Sequence, residues 1–214
     1  MSTIHDNLVA QYRLAGDAGD SAGGGLNGTP ENVTWVAGMG SQVGVFNGTN
    51  ARVSTAAFVG SLSAFTCSFW INATIPGADT YKRIIHNSAD ANNHFQFTGQ
   101  VNDFEMGFGV TVGGVLTATR AITLFQSSRW RHVAGVWSGS SVSLFVDGVQ
   151  ESAAYAGTPG GSAAAGLSIG ARNDLLAATF TNCLLSNVRI YNAALSAADV
   201  RRDYHGLLPA RRYA

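Results

Sequence analysis

Charge is scarce in this chain. Lys, Arg, Asp and Glu together make up 12% of its 214 residues, against roughly 25% in an ordinary soluble domain, and the two signs cancel at 13 each. Zero net charge leaves no cationic footprint to grip a phosphate backbone, which excludes nucleic acid as a partner. The Arg201-Arg202 and Arg211-Arg212 pairs make the end of the chain locally basic and read as a solvated tail. Long apolar runs are missing too, so membrane insertion is excluded. The opening MSTIHDNLVAQYRLAG has no basic start followed by an apolar stretch, and the expectation is synthesis in the cytosol without a signal peptide. Without a secretory route the Asn-x-Thr sequons at Asn27, Asn32, Asn47 and Asn72 carry little meaning. Cysteine is limited to Cys67 and Cys183, far apart and without metal-ligand spacing, so neither a disulfide framework nor a zinc site is indicated. A cytosolic origin keeps both as thiols, while pairing across adjacent strands in an oxidising exterior stays open.

What the chain does contain is 46% hydrophobic residues and 26 glycines with no collagen-like period, the mark of many turns between short elements. Strand-like runs of four to ten residues follow one another: LVAQYRL, SQVGVF, ARVST, FTCSFWINA, KRIIHN, HFQFTG, DFEMGFGV, ITLF, WRHVAGVW, SVSLFVDG, LSIGA and CLLSNVRIYN. Their alternation assigns faces. Phe65, Cys67, Phe69 and Ile71 point one way and Thr66, Ser68, Trp70 and Asn72 the other; Phe95, Phe97, Phe104, Met106 and Phe108 oppose His94, Gln96, Thr98, Asp103 and Glu105. Burying the Phe-rich set between two sheets is worth roughly 1.5 to 3 kcal/mol per large side chain. A single segment reads as helix, ALSAADVRRDYHGLL, with Ser196 as N-cap, Asp199 completing a capping-box variant, Val200, Tyr204 and Leu207 on one face, and Gly206 as the left-handed cap. The Gly- and Ala-rich stretch at 158–166 reads as a surface loop. These features predict an all-β, two-sheet antiparallel sandwich with one short C-terminal helix, built as a single domain over residues 1–214.

The most specific stretch is WRHVAGVWSGSSVSLFVDGV, from Trp130 to Val149. Its first half has no clean polar side and is predicted to be covered on both faces; Ser138 to Ser141 make a turn, and Asp147-Gly148 is a tight-turn signal. The pattern W-x-H-V-A-G-V-x-x-G-x-x-x-x-L-F-V-D-G resembles the central hairpin of laminin-G-like jelly rolls of the concanavalin A-like lectin and glucanase superfamily. Other pieces resemble that family in its own order: DSAGGGLNGT its glycine-rich first loop, VGVFNGTNARVS its F-D-G segment, FTCSFWINA its F-T-V-S-A-W-V strand, and LSNVRIYNAALSAADV its closing strand and helix. The resemblance runs from about Leu8 to Tyr204, leaving 205–214 as a tail, and implies a concanavalin A-like jelly roll. His132 is then a structural histidine, since no serine, cysteine or carboxylate accompanies it at motif spacing.

The resemblance also directs attention to three kinds of site. Family members often hold calcium near the first loop and the closing strand. The corresponding positions here are Asp17, Asp20, Asn47 and Asn187, but Asn47, Ser186 and Asn187 stand where the family pattern has acids. A calcium site or a calcium-free loop with Asp20 as turn former are both compatible with these residues. Around Asp90, Asn92 and Asn93 the polar run lacks the Gly and final Glu of an EF-hand loop and reads as an ordinary hairpin loop. Glucanases of the superfamily carry an acidic trio; here Asp103 and Glu105 are followed by Gly107, the trio is incomplete, and hydrolysis ranks last. Trp70, Asn72, His94, Gln96, Asp103 and Glu105 could together offer an aromatic plate and hydrogen-bonding groups to a sugar, the alternative being a face covered by loops in which Trp70 merely fills space. The resulting expectation is a non-catalytic, lectin-like module for carbohydrate or glycoconjugate, with calcium as its one candidate cofactor. A structural or attachment protein of a phage particle, contacting other virion proteins at the virion surface, is the alternative.

Overall fold

The structure, a computed structural model, describes residues 7–55, 63–73, 82–90, 92–100, 105–123, 125, 129–152, 166–176 and 179–206. Two antiparallel sheets stack. The eight-stranded sheet runs in the order β13 (Val149–Glu151), β12 (Val142–Val146), β11 (Arg131–Trp137), β6 (Phe65–Ala73), β15 (Asn182–Tyr191), β4 (Ser41–Asn47) and β3 (Thr34–Gly38), with β1 (Leu8–Tyr12) also paired to β15. The seven-stranded sheet runs β10 (Val115–Arg120), β9 (Glu105–Val112), β8 (Asn93–Gln100), β7 (Lys82–Asp90), β14 (Leu167–Ile169), β5 (Arg52–Ser54) and β2 (Thr29–Glu31). Sequence neighbours such as β3 and β4 pair directly, whereas β6 and β15 meet across more than a hundred residues, the connectivity of a jelly roll.

The alternating pattern places the core. Phe65, Phe69 and Ile71 of β6 meet Phe95 and Phe97 of β8 and Phe108 of β9, with ring centroids 4.7 Å apart for Phe65–Phe95 and 4.9 Å for the edge-on Phe69–Phe97 pair. Aromatic pairs offset or edge-on in this way add about 0.5–1.5 kcal/mol each beyond the area they bury. Gly135 of β11 is required here, because a Cβ would lie 2.6 Å from the Phe97 ring. The β12–β13 hairpin closes through Asp147 (φ 50°) and Gly148 (φ 77°), the left-handed pair that a two-residue turn demands.

The helix α1 (Ala197–Gly206) starts as its sequence requires: the Asp199 backbone N donates to Ser196 Oγ at 3.2 Å, and that hydroxyl donates to Asp199 Oδ2 at 2.6 Å. It runs through Gly206 rather than stopping before it, so the expected glycine cap lies inside the helix. Ala134 and Val136 of β11 pack with Val200 and Leu195 in a second apolar cluster under this helix, while Val133 and Trp137 join the main core, so β11 is covered on both faces. One expectation is corrected, and the possibility left open for the cysteines is closed. Residues 121–123 are not strand: the Ile122 and Thr123 backbone N–H groups both donate to Glu151 Oε2, at 2.7 Å, and this clasp bends the chain. Cys67 and Cys183 cannot pair, because one sits opposite Ile190 and the other opposite Ala73, six residues apart along β6, or roughly 20 Å. Burial pushes both thiols up, Cys67 with help from the Asp203 charge. Phe104, Leu207 and the loop at 158–165 lie outside the described residues. Among the described residues no helix is long and apolar enough to cross a membrane.

Candidate functional site

Strand pairing in the seven-stranded sheet brings one polar row into line. Ser54 of β5 is opposite Ser168 of β14, Ser168 opposite His86 of β7, His86 opposite Gln96 of β8, and Gln96 opposite Gly109 of β9. With strands about 4.8 Å apart, these five positions cover roughly 19 Å. Because their neighbours Ile169, Ile85, Phe95 and Phe108 point into the core, the row lies on the outer face. Asn87, next along β7, is opposite Phe95 and does not belong to it. A second level carries Ser88, His94 and Thr111, with His94 Nε2 sharing a 3.1 Å hydrogen bond with Thr111 Oγ1 and the His86 and His94 rings 5.8 Å apart.

This polar face is buried. His86, His94, Gln96, Thr98 and Thr111 have no exposed surface, and Ser168 has 1%. Part of the cover is the turn after β14: His86 Nδ1 is 2.5 Å from Asn173 Oδ1, and Asn173 Nδ2 donates to the Gly166 carbonyl at 2.9 Å. Yet among the described residues Gln96 Nε2, Gln96 Oε1 and Ser168 Oγ make no hydrogen bond, nor do the two polar atoms of the Asn87 carboxamide on the other face of β7. Leaving such groups buried and unpaired costs about 1–3 kcal/mol each, and a whole carboxamide in that state is unusual in a native fold. At the edge of the same face Glu105 pairs with Arg120 of β10.

The six residues expected to share one sugar-binding face therefore divide. His94, Gln96 and Glu105 stand on this sheet, and Asp103 lies outside the described residues. Trp70 and Asn72 are on β6, on the outer face of the other sheet, because HFQFTG and FTCSFWINA belong to opposite layers. Trp70 is no open plate: only 3% exposed, it stacks on Tyr204 of α1 with centroids 5.6 Å apart and meets the His132 ring edge-on at 5.4 Å. Sequence reasoning missed His86, Ser168 and Asn173. Ser168 alternates with two core residues in L-S-I and could have been found by that signal; the bulge in β7 hid His86.

Under α1 the polar groups converge on one carboxylate. Asp203 Oδ2 accepts from Ser68 Oγ at 2.6 Å and from His132 Nε2 at 3.1 Å, and its Oδ1 accepts from Arg189 Nη1 at 2.6 Å and Tyr191 Oη at 2.8 Å. Burial pushes the Asp203 carboxyl up, but the hydrogen bond and charge of His132, the charge of Arg189 and the Ser68 hydroxyl together outweigh it and hold the carboxyl far below the usual carboxylate range. Burial, the Asp203 charge and the hydrogen bond to it raise the Tyr191 phenol, against the lowering pull of Arg189. His132 thus has an acidic partner after all, 71 residues along the chain and invisible to local spacing. Ser68 and His132 both contact Asp203 rather than each other, a clamp for the helix and not a nucleophile–base pair.

The four positions considered for calcium do not fit a cage of six to eight oxygens. Asp20 turns Oδ1 to the backbone N–H groups of Gln11 and Ala22 and Oδ2 to that of Leu26, and Asp17 Oδ1 accepts from the Gly19 N–H. Asn47 Oδ1 takes the N–H groups of Thr49, Asn50 and Ala51, and Asn187 Nδ2 donates to Ser186 Oγ. These oxygens are arranged as turn formers. Their loop is pinned by Tyr12 Oη donating to the Leu26 carbonyl at 2.8 Å; burial, then the Asp20 charge, pushes that phenol up to about 12. Among the described residues no group of three or more His, Cys, Asp or Glu could hold a metal ion.

Solved structures with this architecture include domain 4 of AbnA, a GH43 extracellular arabinanase from Geobacillus stearothermophilus in complex with arabinotriose, at 19% identity and a TM-score of 0.72, covering 94% of this chain and 98% of that one. The binding domain of Paraclostridial Mosquitocidal Protein 1 (18% identity, TM-score 0.72) and the botulinum neurotoxin serotype D binding domain (13%, 0.69) each cover 95% of this chain, which spans only 53% and 52% of theirs. Among curated proteins none matches the sequence. The laminin-G family model described as the concanavalin A-like lectin/glucanases superfamily matches residues 47–201, and with the jelly-roll topology above it the chain belongs to that superfamily.

Proposed function

We propose that this protein is a non-catalytic, lectin-like carbohydrate-binding module and that the outer face of its seven-stranded sheet reads sugar hydroxyls. The observation that carries the reading is the Gln96 carboxamide, fully buried with both polar atoms unpaired among the described residues, in one row with the unpaired Ser168 hydroxyl two strands away across His86. A carboxamide donates and accepts side by side, and so do two neighbouring hydroxyls of a sugar ring. A saccharide laid along the Ser54–Gly109 row would meet these groups together with the His86 and His94 rings. Because Asn173 holds the His86 ring, a ligand that reaches His86 in this reading takes the place of the Asn173 side chain there. The jelly-roll neighbours support the reading: one is a sugar complex and others are toxin binding domains. Hydrolysis is disfavoured because Glu105 is held by Arg120 and no second free carboxylate faces it among the described residues.

A glycan array followed by calorimetry tests this. Wild-type protein is expected to bind at least one neutral oligosaccharide, and Gln96→Met and Ser168→Ala are expected to weaken that binding while the fold persists. A blank array with folded protein, or undiminished binding by Gln96→Met, counts against the site.

A further inference from the structure

A concavity of about 350 Å³ opens on the outer side of the eight-stranded sheet, away from the buried row of Gln96. The sheet's own construction makes it. One flank of β15 pairs with β4 through residues 182–185 and with β1 through residues 188–191, and between them Ser186–Asn187 bulges, Asn187 at φ 51°. Where β1 and β4 part, Arg13 and Gln11 form one wall and Gln42 the other, with Asn187 and Arg189 between. Gly16 lets Gln42 close in: a Cβ there would lie 2.6 Å from Gln42 Oε1, at a backbone φ of 104° that disfavours any side chain.

The charge of this cleft decides what it takes. Two arginines line it and no Asp or Glu does. The Arg189 charge is balanced by buried Asp203, and its Nη2 and Nε donate to the Gln11 carboxamide oxygen at 3.1 and 3.2 Å. Exposed Arg13 makes no ion pair among the described residues, so its guanidinium is the uncompensated charge of the cleft. A cation would meet only repulsion here. We propose that the cleft binds the anionic group of an acidic saccharide, a carboxylate or a sulfate ester, with Arg13 as its charged partner and the Gln42 and Asn187 amides on neighbouring hydroxyls. A guanidinium presents a planar fork that pairs with such a group through two parallel hydrogen bonds. The volume suits one or two sugar rings rather than a long chain. The saccharide identity rests on the lectin reading above; the anion preference rests on the cleft alone.

The test is calorimetry of the full chain with tri-galacturonate, its methyl ester, and a sulfated trisaccharide. Tri-galacturonate or the sulfated probe is expected to bind in a salt-sensitive way, the methyl ester not at all. Arg13→Gln, an exposed change that leaves the fold intact, is expected to weaken binding roughly ten- to a hundredfold, the range a charge-assisted hydrogen bond carries. Arg13→Lys should recover part of it, and Gln96→Met should bind like wild type. Which anionic probe binds assigns the group. Binding of neither, equal binding by Arg13→Gln, or equal binding of the methyl ester overturns the proposal. Neutral glycans that still bind through Gln96 would then leave the first site standing; loss of anion binding in Gln96→Met but not in Arg13→Gln would move the anion to the other face and overturn this one.

Discussion

The two outer faces of the sandwich both bury polar side chains, and they do so to opposite ends. On the eight-stranded sheet, Ser68, His132, Arg189 and Tyr191 all reach Asp203 of α1, and what stays unpaired is one ring nitrogen each on Trp70 and His132. On the outer face of the seven-stranded sheet, Gln96 keeps an entire carboxamide without a partner among the described residues, Ser168 a hydroxyl and His94 one ring nitrogen, and on the other face of β7 the Asn87 carboxamide is unpaired as well. A satisfied buried network fixes one arrangement, here the docking of the helix. An unsatisfied one stores a cost that a polar guest can relieve, and proteins keep such a cost where they bind.

The contrast breaks most visibly at Asp203. Asp203→Ala leaves Arg189 and His132 without their acceptor, and removing one member of a buried ionic network costs about 3–5 kcal/mol. Urea denaturation should show that loss, with α1 undocked, while glycan binding on the opposite face persists in whatever fraction remains folded. The same residue contributes to the response to acid. The folded pKa of Asp203 is depressed below its unfolded value of about 3.9, so its stabilisation is complete above that value and drains away as pH falls further toward the folded pKa. Wild-type stability should decline on acidification below about pH 4, and Asp203→Asn should show a shallower decline because it has no such proton to take up.

Gln96 should respond with the opposite sign. Gln96→Met keeps the length of the side chain, removes the unpaired amide, and should raise stability by about 1 kcal/mol, the lower end of what a buried unpaired group costs. Thermal unfolding measures the gain, and calorimetry should find neutral-glycan binding weakened in the same variant. A destabilised Gln96→Met would mean that the amide is satisfied in the free protein, and the contrast between the faces would collapse.

Period-two alternation made the inward residues readable. Phe65, Phe69, Phe95, Phe97 and Phe108 went to the core because alternation is a local property of each strand. Sheet membership is not local. Nothing in FTCSFWINA or HFQFTG says that β6 and β8 belong to different layers, so Trp70 and Gln96 could be joined on paper although they point away from each other. The β7 bulge shifted the face of His86 by one residue, and no spacing rule links His132 to Asp203. The helix itself was legible through its Ser196 cap; what it covers was not, because docking depends on Asp203 finding partners on three strands, β6, β11 and β15.

The smallest effect should come from Trp70, the residue whose type most suggests a sugar platform. Trp70→Phe retains a ring to stack on Tyr204 and removes the indole N–H, which has no partner. The area lost under the helix destabilises by about 1–2 kcal/mol, and the relief of the unpaired donor offsets most of it. The net change in unfolding free energy should stay within about 1 kcal/mol, with glycan affinity unchanged by calorimetry. Lost affinity in this variant would place the ligand beneath α1, and the face built around Asp203 would be the recognition surface instead.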